Sequence, residues 1–168
     1  MGASQALTGL PPVIAPGARL LILGSMPGAA SLARGEYYAH PRNIFWDLIE
    51  HRLGIPRAMP YPQRLDALTR HGTALWDVAA HCRRRGSLDS AIEPATVVPN
   101  DFVDLFQRYP TIDTVCFNGR KAAALYRRLV LPAGHVPDRL VYHSLPSTSP
   151  ANTTLAVTEK RRHWSEVL

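Results

Sequence analysis

Leu20-Leu21-Ile22-Leu23 is an unbroken aliphatic run that stops at Gly24-Ser25-Met26-Pro27-Gly28. Consecutive apolar side chains leave neither face of a strand free to meet water, so the segment must be covered on both sides. That requirement selects a parallel sheet with helices packed against each face. The turn that follows holds two glycines and a proline, and its backbone N–H groups can face a ligand. It lacks the Gly-Lys-Ser/Thr of a P-loop and the G-x-G-x-x-G of a dinucleotide site. Taken alone, it reads first as an ordinary strand-exit turn.

The rest of the chain alternates between strand and helix signals. Thr73 to Val78, Ile112 to Phe117 and Leu140 to His143 read as further strands. Asn43 is placed to cap a helix through Ile44, Phe45, Leu48, Ile49 and Leu53, which Gly54 ends. Tyr61 to His71 reads as a helix with Leu65 and Leu68 inward. Asn100 is placed to cap another through Phe102, Val103, Leu105 and Phe106. Helical spacing returns at Ala122 to Leu129 and from Thr158 to Leu168. Residues 81–99 read as polar and irregular. The expected fold is α/β: a single three-layer α/β/α domain around a central four-stranded, mainly parallel sheet. Residues 1–18, with Pro11, Pro12 and Pro16, read as an extended or flexible lead-in, and 19–168 as the domain.

Charge narrows the partners. The net charge is +6, and all the basic residues except Lys121 and Lys160 are arginine, whose planar fork suits phosphate. Residues 119–168 carry eight basic side chains against Asp138, Glu159 and Glu166. Anionic partners are favoured, nucleic acid first, although a base-composition bias of the gene would also enrich arginine. Arg83-Arg84-Arg85 reads as a solvated charge run ahead of a DNA contact. Cys82 and Cys116 form no C-x-x-C pair, and the histidines show no H-x-x-x-H spacing. No metal and no cofactor are therefore expected. No apolar run approaches the ~20 residues of a membrane span. With no secretion signal and no heptad, a cytoplasmic monomer is expected.

Two loops carry the chemistry. Tyr37-Tyr38-Ala39-His40-Pro41-Arg42-Asn43 combines aromatic, amide and basic side chains, so it can stack on a base and hydrogen-bond it. Phe45 and Trp46 follow, and Trp46 reads first as core. Leu145-Pro146-Ser147-Thr148-Ser149-Pro150-Ala151-Asn152 is stiffened by two prolines and supplies compact polar groups suited to phosphates. Its plainer reading is a Ser/Pro turn before a capped helix. Asn118, at a strand end before Gly119, can read a Watson–Crick edge with its amide or merely form an Asn-Gly turn. Trp76 and Asp77 close another strand near the same place and read as lining residues.

Together these segments resemble the uracil-DNA glycosylase superfamily. The closest resemblance is to its hypoxanthine-DNA (deoxyinosine) glycosylase branch, through Gly24-Ser25-Met26-Pro27-Gly28, Asn43-Ile44-Phe45-Trp46, Phe117-Asn118-Gly119 and Leu145-Pro146-Ser147-Thr148-Ser149-Pro150. The resemblance spans roughly residues 19–165. It implies base flipping into a pocket at the strand ends, without cofactor, because the sugar carbon is poorly reached inside a stacked duplex. It implies DNA containing deaminated bases as the partner. The catalytic positions would be Asn43, Ser25 and the backbone of Met26. Gly24, Pro27, Tyr38, Phe45 and Asn118 would hold the base, with Tyr38 stacking on it. Arg42, Ser147, Thr148, Ser149, Pro150 and Asn152 would hold DNA. Two departures stand out: related branches carry polar residues where this chain has Met26 and Leu145. Either catalysis has moved, to Asn43 as the hypoxanthine branch suggests, or the fold binds nucleic acid without cutting it. The expected activity is a monofunctional glycosylase that removes hypoxanthine first and uracil second. A uracil- or mismatch-specific enzyme and a non-catalytic binding module are the alternatives.

Overall fold

The aliphatic run pairs in parallel with a strand on each side, as its burial demands. The structure is a computed structural model that describes residues 3–168. In chain order the strands are β1 (Gln5–Thr8), β2 (Leu20–Gly24), β3 (Thr73–Asp77), β4 (Ala79–Arg84), β5 (Val98–Pro99), β6 (Thr114–Asn118) and β7 (Val141–Leu145). The helices are α1 (Ala29–Arg34), α2 (Phe45–Leu53), α3 (Tyr61–Arg70), α4 (Phe102–Arg108), α5 (Arg120–Leu129) and α6 (Val157–Ser165). Short 3₁₀ turns cover Asp89–Ala91, Pro94–Thr96 and Leu131–Ala133.

The central sheet has four parallel strands in the order β3-β2-β6-β7. Side chains alternate between its faces. Ile22, Leu75 and Cys116 join Phe45, Trp46, Leu48, Ile49, Leu68 and Trp164 in one apolar layer, which holds α2, α3 and α6. Leu21, Leu23, Ala74, Trp76, Val115 and Phe117 join Phe102, Leu105, Phe106, Ala122, Leu125 and Tyr126 in the other. The three-layer α/β/α architecture around a four-stranded parallel sheet is thus present.

A second sheet is absent from the sequence reading. It has three strands, in the order β1-β4-β5, paired antiparallel. Residues 81–99 are therefore not wholly irregular. Gln5 to Thr8 in the lead-in pairs with Arg84 to His81, and Val13 bridges to Leu75. Asn100 does not cap α4. Asp101 does, accepting from the Asp104 N–H at 2.9 Å, while the Asn100 amide donates to the Asp77 carbonyl at 2.8 Å. Asn43 lies just before α2, and its Oδ1 accepts from the Phe45 N–H at 2.9 Å. Among the described residues no helix is long and apolar enough to cross a membrane.

Candidate functional site at the strand ends

Register decides which groups meet where the parallel strands stop. Gly24 pairs with Asp77. Asn118 lies one residue beyond the Leu23–Phe117 pair and is itself paired with Leu145. Asp77, Gly24, Asn118 and Leu145 thus form a row across the sheet. They share the face of Ile22, Leu75 and Cys116. Trp76, one residue earlier, points to the opposite face and packs on Phe102 with ring centroids 5.3 Å apart. Of the two expected lining residues, only Asp77 reaches this end of the pocket face.

Glycine is required at the centre of the row. A Cβ at Gly24 would collide with Asp77 Oδ1 and lie 3.6 Å from the Tyr38 hydroxyl. The Tyr38 ring stacks on Phe45 with centroids 4.0 Å apart, and Tyr38 holds a positive φ of 55°. Its hydroxyl is buried without a hydrogen-bond partner of normal geometry among the described residues, with Asp77 and Asn118 as polar neighbours. Burial pushes its pKa well above the ordinary tyrosine range. Phe45 itself is fully buried behind Tyr38, so it supports that ring and presents no face of its own.

The second loop is fastened to this row. Asn118 Nδ2 donates to Thr148 Oγ1 at 2.9 Å, and Asn118 Oδ1 accepts from the Thr148 N–H at 2.9 Å. An amide used this way keeps one N–H and one lone pair. Thr148, expected to meet DNA, is 1% exposed and spends its hydroxyl inward. Its carbonyl accepts from the Ile44 N–H at 3.2 Å, which ties the Asn43 loop to the Ser147 loop. Gly119, at φ 97°, is no mere turn: a Cβ there would sit 3.0 Å from Ser147 Cβ. Ser147, Ser149, Pro150 and Asn152 remain partly exposed, and Arg42 is exposed. The Asn152 amide donates to the Ser147 carbonyl at 3.2 Å, and Trp164 Nε1 donates to the Pro146 carbonyl at 2.9 Å. The two loops therefore meet in one continuous rim with Gly24, Tyr38, Asn43 and Asn118.

Several residues that shape the rim went unseen in the sequence. Arg84, the middle residue of the supposed solvated run, is 1% exposed. Its guanidinium donates to the carbonyls of Met26 at 3.5 Å, Pro27 at 2.8 Å and Gly86 at 2.9 Å. The Met26 backbone carbonyl is thereby occupied, and its buried side chain reaches toward Gly9. Asp89 accepts from the Ser25 hydroxyl at 2.5 Å, so that hydroxyl is tied inward. Arg57 donates to the Asn43 carbonyl at 3.3 Å, to the Pro41 carbonyl at 2.7 Å and to Asp47 at 2.5 Å. No local pattern announces these partners; each lies far along the chain or in a turn.

Electrostatics sets Asp77 apart. It is 4% exposed, and no donor among the described residues reaches its Oδ2. Burial, then the charge of Asp89, pushes its pKa up to about 7 against the pull of Arg84. Burial also raises Asp89. Beside the rim, Tyr38, Pro41, Trp46, Arg34, Arg57 and Arg64 border a cleft of about 220 Å³. The Arg64 guanidinium lies 4.4 Å from the Trp46 ring centroid. A larger cleft of about 460 Å³, between Leu10–Ala15 and α3, lies outside the row and has a mostly apolar wall. Among the described residues no group of three or more His, Cys, Asp or Glu side chains could hold a metal ion.

Known proteins resemble this chain in sequence and in fold. A family model described as the uracil DNA glycosylase superfamily matches residues 11–168. A hypoxanthine DNA glycosylase of Methanosarcina acetivorans is 35% identical over 160 residues, covering 95% of this chain and 96% of the relative. One of Methanosarcina barkeri is 34% identical over 159 residues, covering 94% and 95%. The solution NMR structure of a Methanosarcina acetivorans protein assigned as a candidate uracil DNA glycosylase superposes with a TM-score of 0.80. It shares 34% identity, over 97% of this chain and 96% of that one.

Proposed function

This chain belongs to the uracil DNA glycosylase superfamily, and on that premise we propose that it is a DNA glycosylase acting on hypoxanthine first and uracil second. The observation that supports this reading is the convergence of the Tyr38–Asn43 and Ser147–Asn152 loops on the row Asp77-Gly24-Asn118. Relatives named hypoxanthine DNA glycosylase, aligned over nearly the whole chain, support hypoxanthine as the first substrate.

The damaged nucleotide leaves the stack and its base enters at the end of this row. Tyr38 supplies the aromatic face, backed by Phe45. Asn118 offers its remaining N–H and lone pair to the base edge. The glycosidic bond breaks with its electron pair on the base, and the sugar becomes cationic. DNA phosphates and oriented dipoles stabilise that cation. Water adds to C1′ and leaves an abasic site. Asn43 has no proton affinity to act as a base. Its Oδ1 keeps one lone pair beside the Phe45 N–H, and its amide hydrogens carry none of the described hydrogen bonds, so it can align water. Arg42, Ser147, Ser149, Pro150 and Asn152 lie against the DNA backbone, while Thr148 acts from inside. The apolar, buried side chains of Met26 and Leu145 take no chemical part.

Single-turnover assays on inosine-, uracil- and xanthine-containing oligonucleotides in EDTA test this. Inosine is cut fastest, and Asn43→Ala slows it by about 10²–10³-fold, the effect of losing one preorganised polar group. Tight binding to damaged DNA without any cleavage would leave only a binding module. Equal rates in wild type and Asn43→Ala would remove Asn43 from the chemistry.

A further inference from the structure

We infer that the Asp77 carboxyl, in its neutral form, gives its proton to the departing base. This rests on the glycosylase reading above and deepens it by naming the acid that the reading lacks.

The row at the strand ends leaves few other donors. Ser25 is tied to Asp89, Asn118 shares its amide with Thr148, and Leu145 and Met26 are apolar. Asn43 and Asn118 carry amides, which hold no acidic proton. Asp77 lies in register beside Gly24, on the face of the sheet where Tyr38 closes over that glycine. A base stacked against Tyr38 at the end of this row has Asp77 at one edge and Asn118 at the other. Asp77 Oδ2 is buried and has no partner among the described residues. An orphaned buried carboxyl is costly, and a ring nitrogen at that edge would complete it.

The surroundings keep the proton in place. The titratable groups that face Asp77 are Asp89 from the 3₁₀ turn, Arg84 from β4, and Tyr37 and Tyr38 from the loop before α2. Burial and Asp89 outweigh Arg84, so the acid form persists to about pH 7. A group poised near the working pH is what general acid catalysis requires.

The step balances without a co-reactant. The C1′–N9 bond breaks and both electrons pass to the purine. The Asp77 O–H bond breaks, its proton bonds to purine N7, and neutral hypoxanthine departs. Water oxygen bonds to C1′ and its surplus proton goes to solvent. Solvent then reprotonates the Asp77 carboxylate. Hypoxanthine accepts at N7 without disturbing its N1–H and O6, which stay available to Asn118.

Two substrates and one isosteric variant test the inference by single-turnover cleavage from pH 5.5 to 9. On inosine the wild-type rate falls about tenfold per pH unit above about 7, as one essential proton is lost. Asp77→Asn is at least about 10²-fold slower at pH 6 and shows no such fall. On 7-deazainosine, which has carbon where the proton would land, wild type loses its advantage over Asp77→Asn. Far-UV circular dichroism confirms that the variant is folded. If Asp77→Asn keeps the wild-type rate, or keeps the same pH profile on inosine, or if the advantage survives on 7-deazainosine, the assignment of Asp77 is overturned. Failure of wild type to cut inosine at any pH would instead remove the glycosylase reading beneath it.

Discussion

A carboxyl sealed beneath a backbone turn lowers its free energy either by finding donors or by keeping its proton. Asp77 finds no donor for Oδ2 among the described residues and sits near Asp89, so it keeps its proton to about pH 7 against an ordinary 3.8. The sign of the linkage follows. A carboxyl raised in the folded state contributes fully below its unfolded pKa, and that contribution is lost as pH rises toward 7. Above that pH the fold carries a buried carboxylate, which an asparagine would not. The melting temperature of Asp77→Asn relative to wild type should therefore climb between about pH 4 and 7 and level off above. Thermal melts of both proteins across that range measure it, and titrating groups that do not face Asp77 cancel in the difference. A difference that does not change with pH would mean that Asp77 is not held neutral. A variant that gains stability at pH 8 while losing activity is the expected signature of a side chain retained for chemistry.

At the scale of elements, the strand β4 and the turn after it clamp the loop that follows β2. Arg84 reaches the Met26 and Pro27 carbonyls, Ser87 Oγ accepts from the Ala29 N–H at 3.1 Å, and Asp89 takes the Ser25 hydroxyl. Arg84→Met strips these carbonyls of a charged donor and leaves Asp77 and Asp89 without their cation. Denaturant unfolding should show a loss of about 2–4 kcal/mol. Because Arg84 pulls the Asp77 pKa down, its removal also moves the fall in the cleavage–pH profile to higher pH. An unchanged profile would uncouple the clamp from the acid. This clamp explains what the sequence hid. The parallel sheet was legible because Leu20–Leu23 and its partners must be covered on both faces. The antiparallel sheet was not, because β4 fills an inward position with arginine and reads as a charge run. Likewise the Gly24–Gly28 and Ser147–Pro150 loops announce themselves by composition. Arg84, Asp89 and Arg57 join the site through partners such as Met26, Ser25 and Asn43, 58, 64 and 14 residues away, and no short window of local sequence contains those contacts. Asn118 and Thr148 were both named, but the hydrogen bonds between them turn an expected DNA contact into an internal brace.

Over the whole molecule, a net charge of +6 predicts attraction to any polyanion, yet the arginines do not act alike. Arg84 is buried and spent on carbonyls, and Arg57 holds the Pro41–Asn43 loop. Arg42 stands exposed within that loop, and Arg34 and Arg64 border the cleft next to Tyr38. Only exposed arginines can displace counterions from DNA. If about four phosphates are neutralised, log affinity falls with log salt at a slope of about −3 to −4. Arg42→Ala should weaken binding to damaged and undamaged duplexes alike and make that slope shallower by about one. Arg84→Met, by contrast, should leave the slope unchanged while it shifts the cleavage–pH profile, because its charge never faces the solvent. Fluorescence anisotropy titrations from 50 to 200 mM salt, spanning ~60- to 250-fold in affinity at such slopes, separate the two classes. If Arg84→Met flattened the slope as much as Arg42→Ala, the buried guanidinium would have to reach phosphate, and the clamp on the Met26–Pro27 turn would have to open when DNA binds.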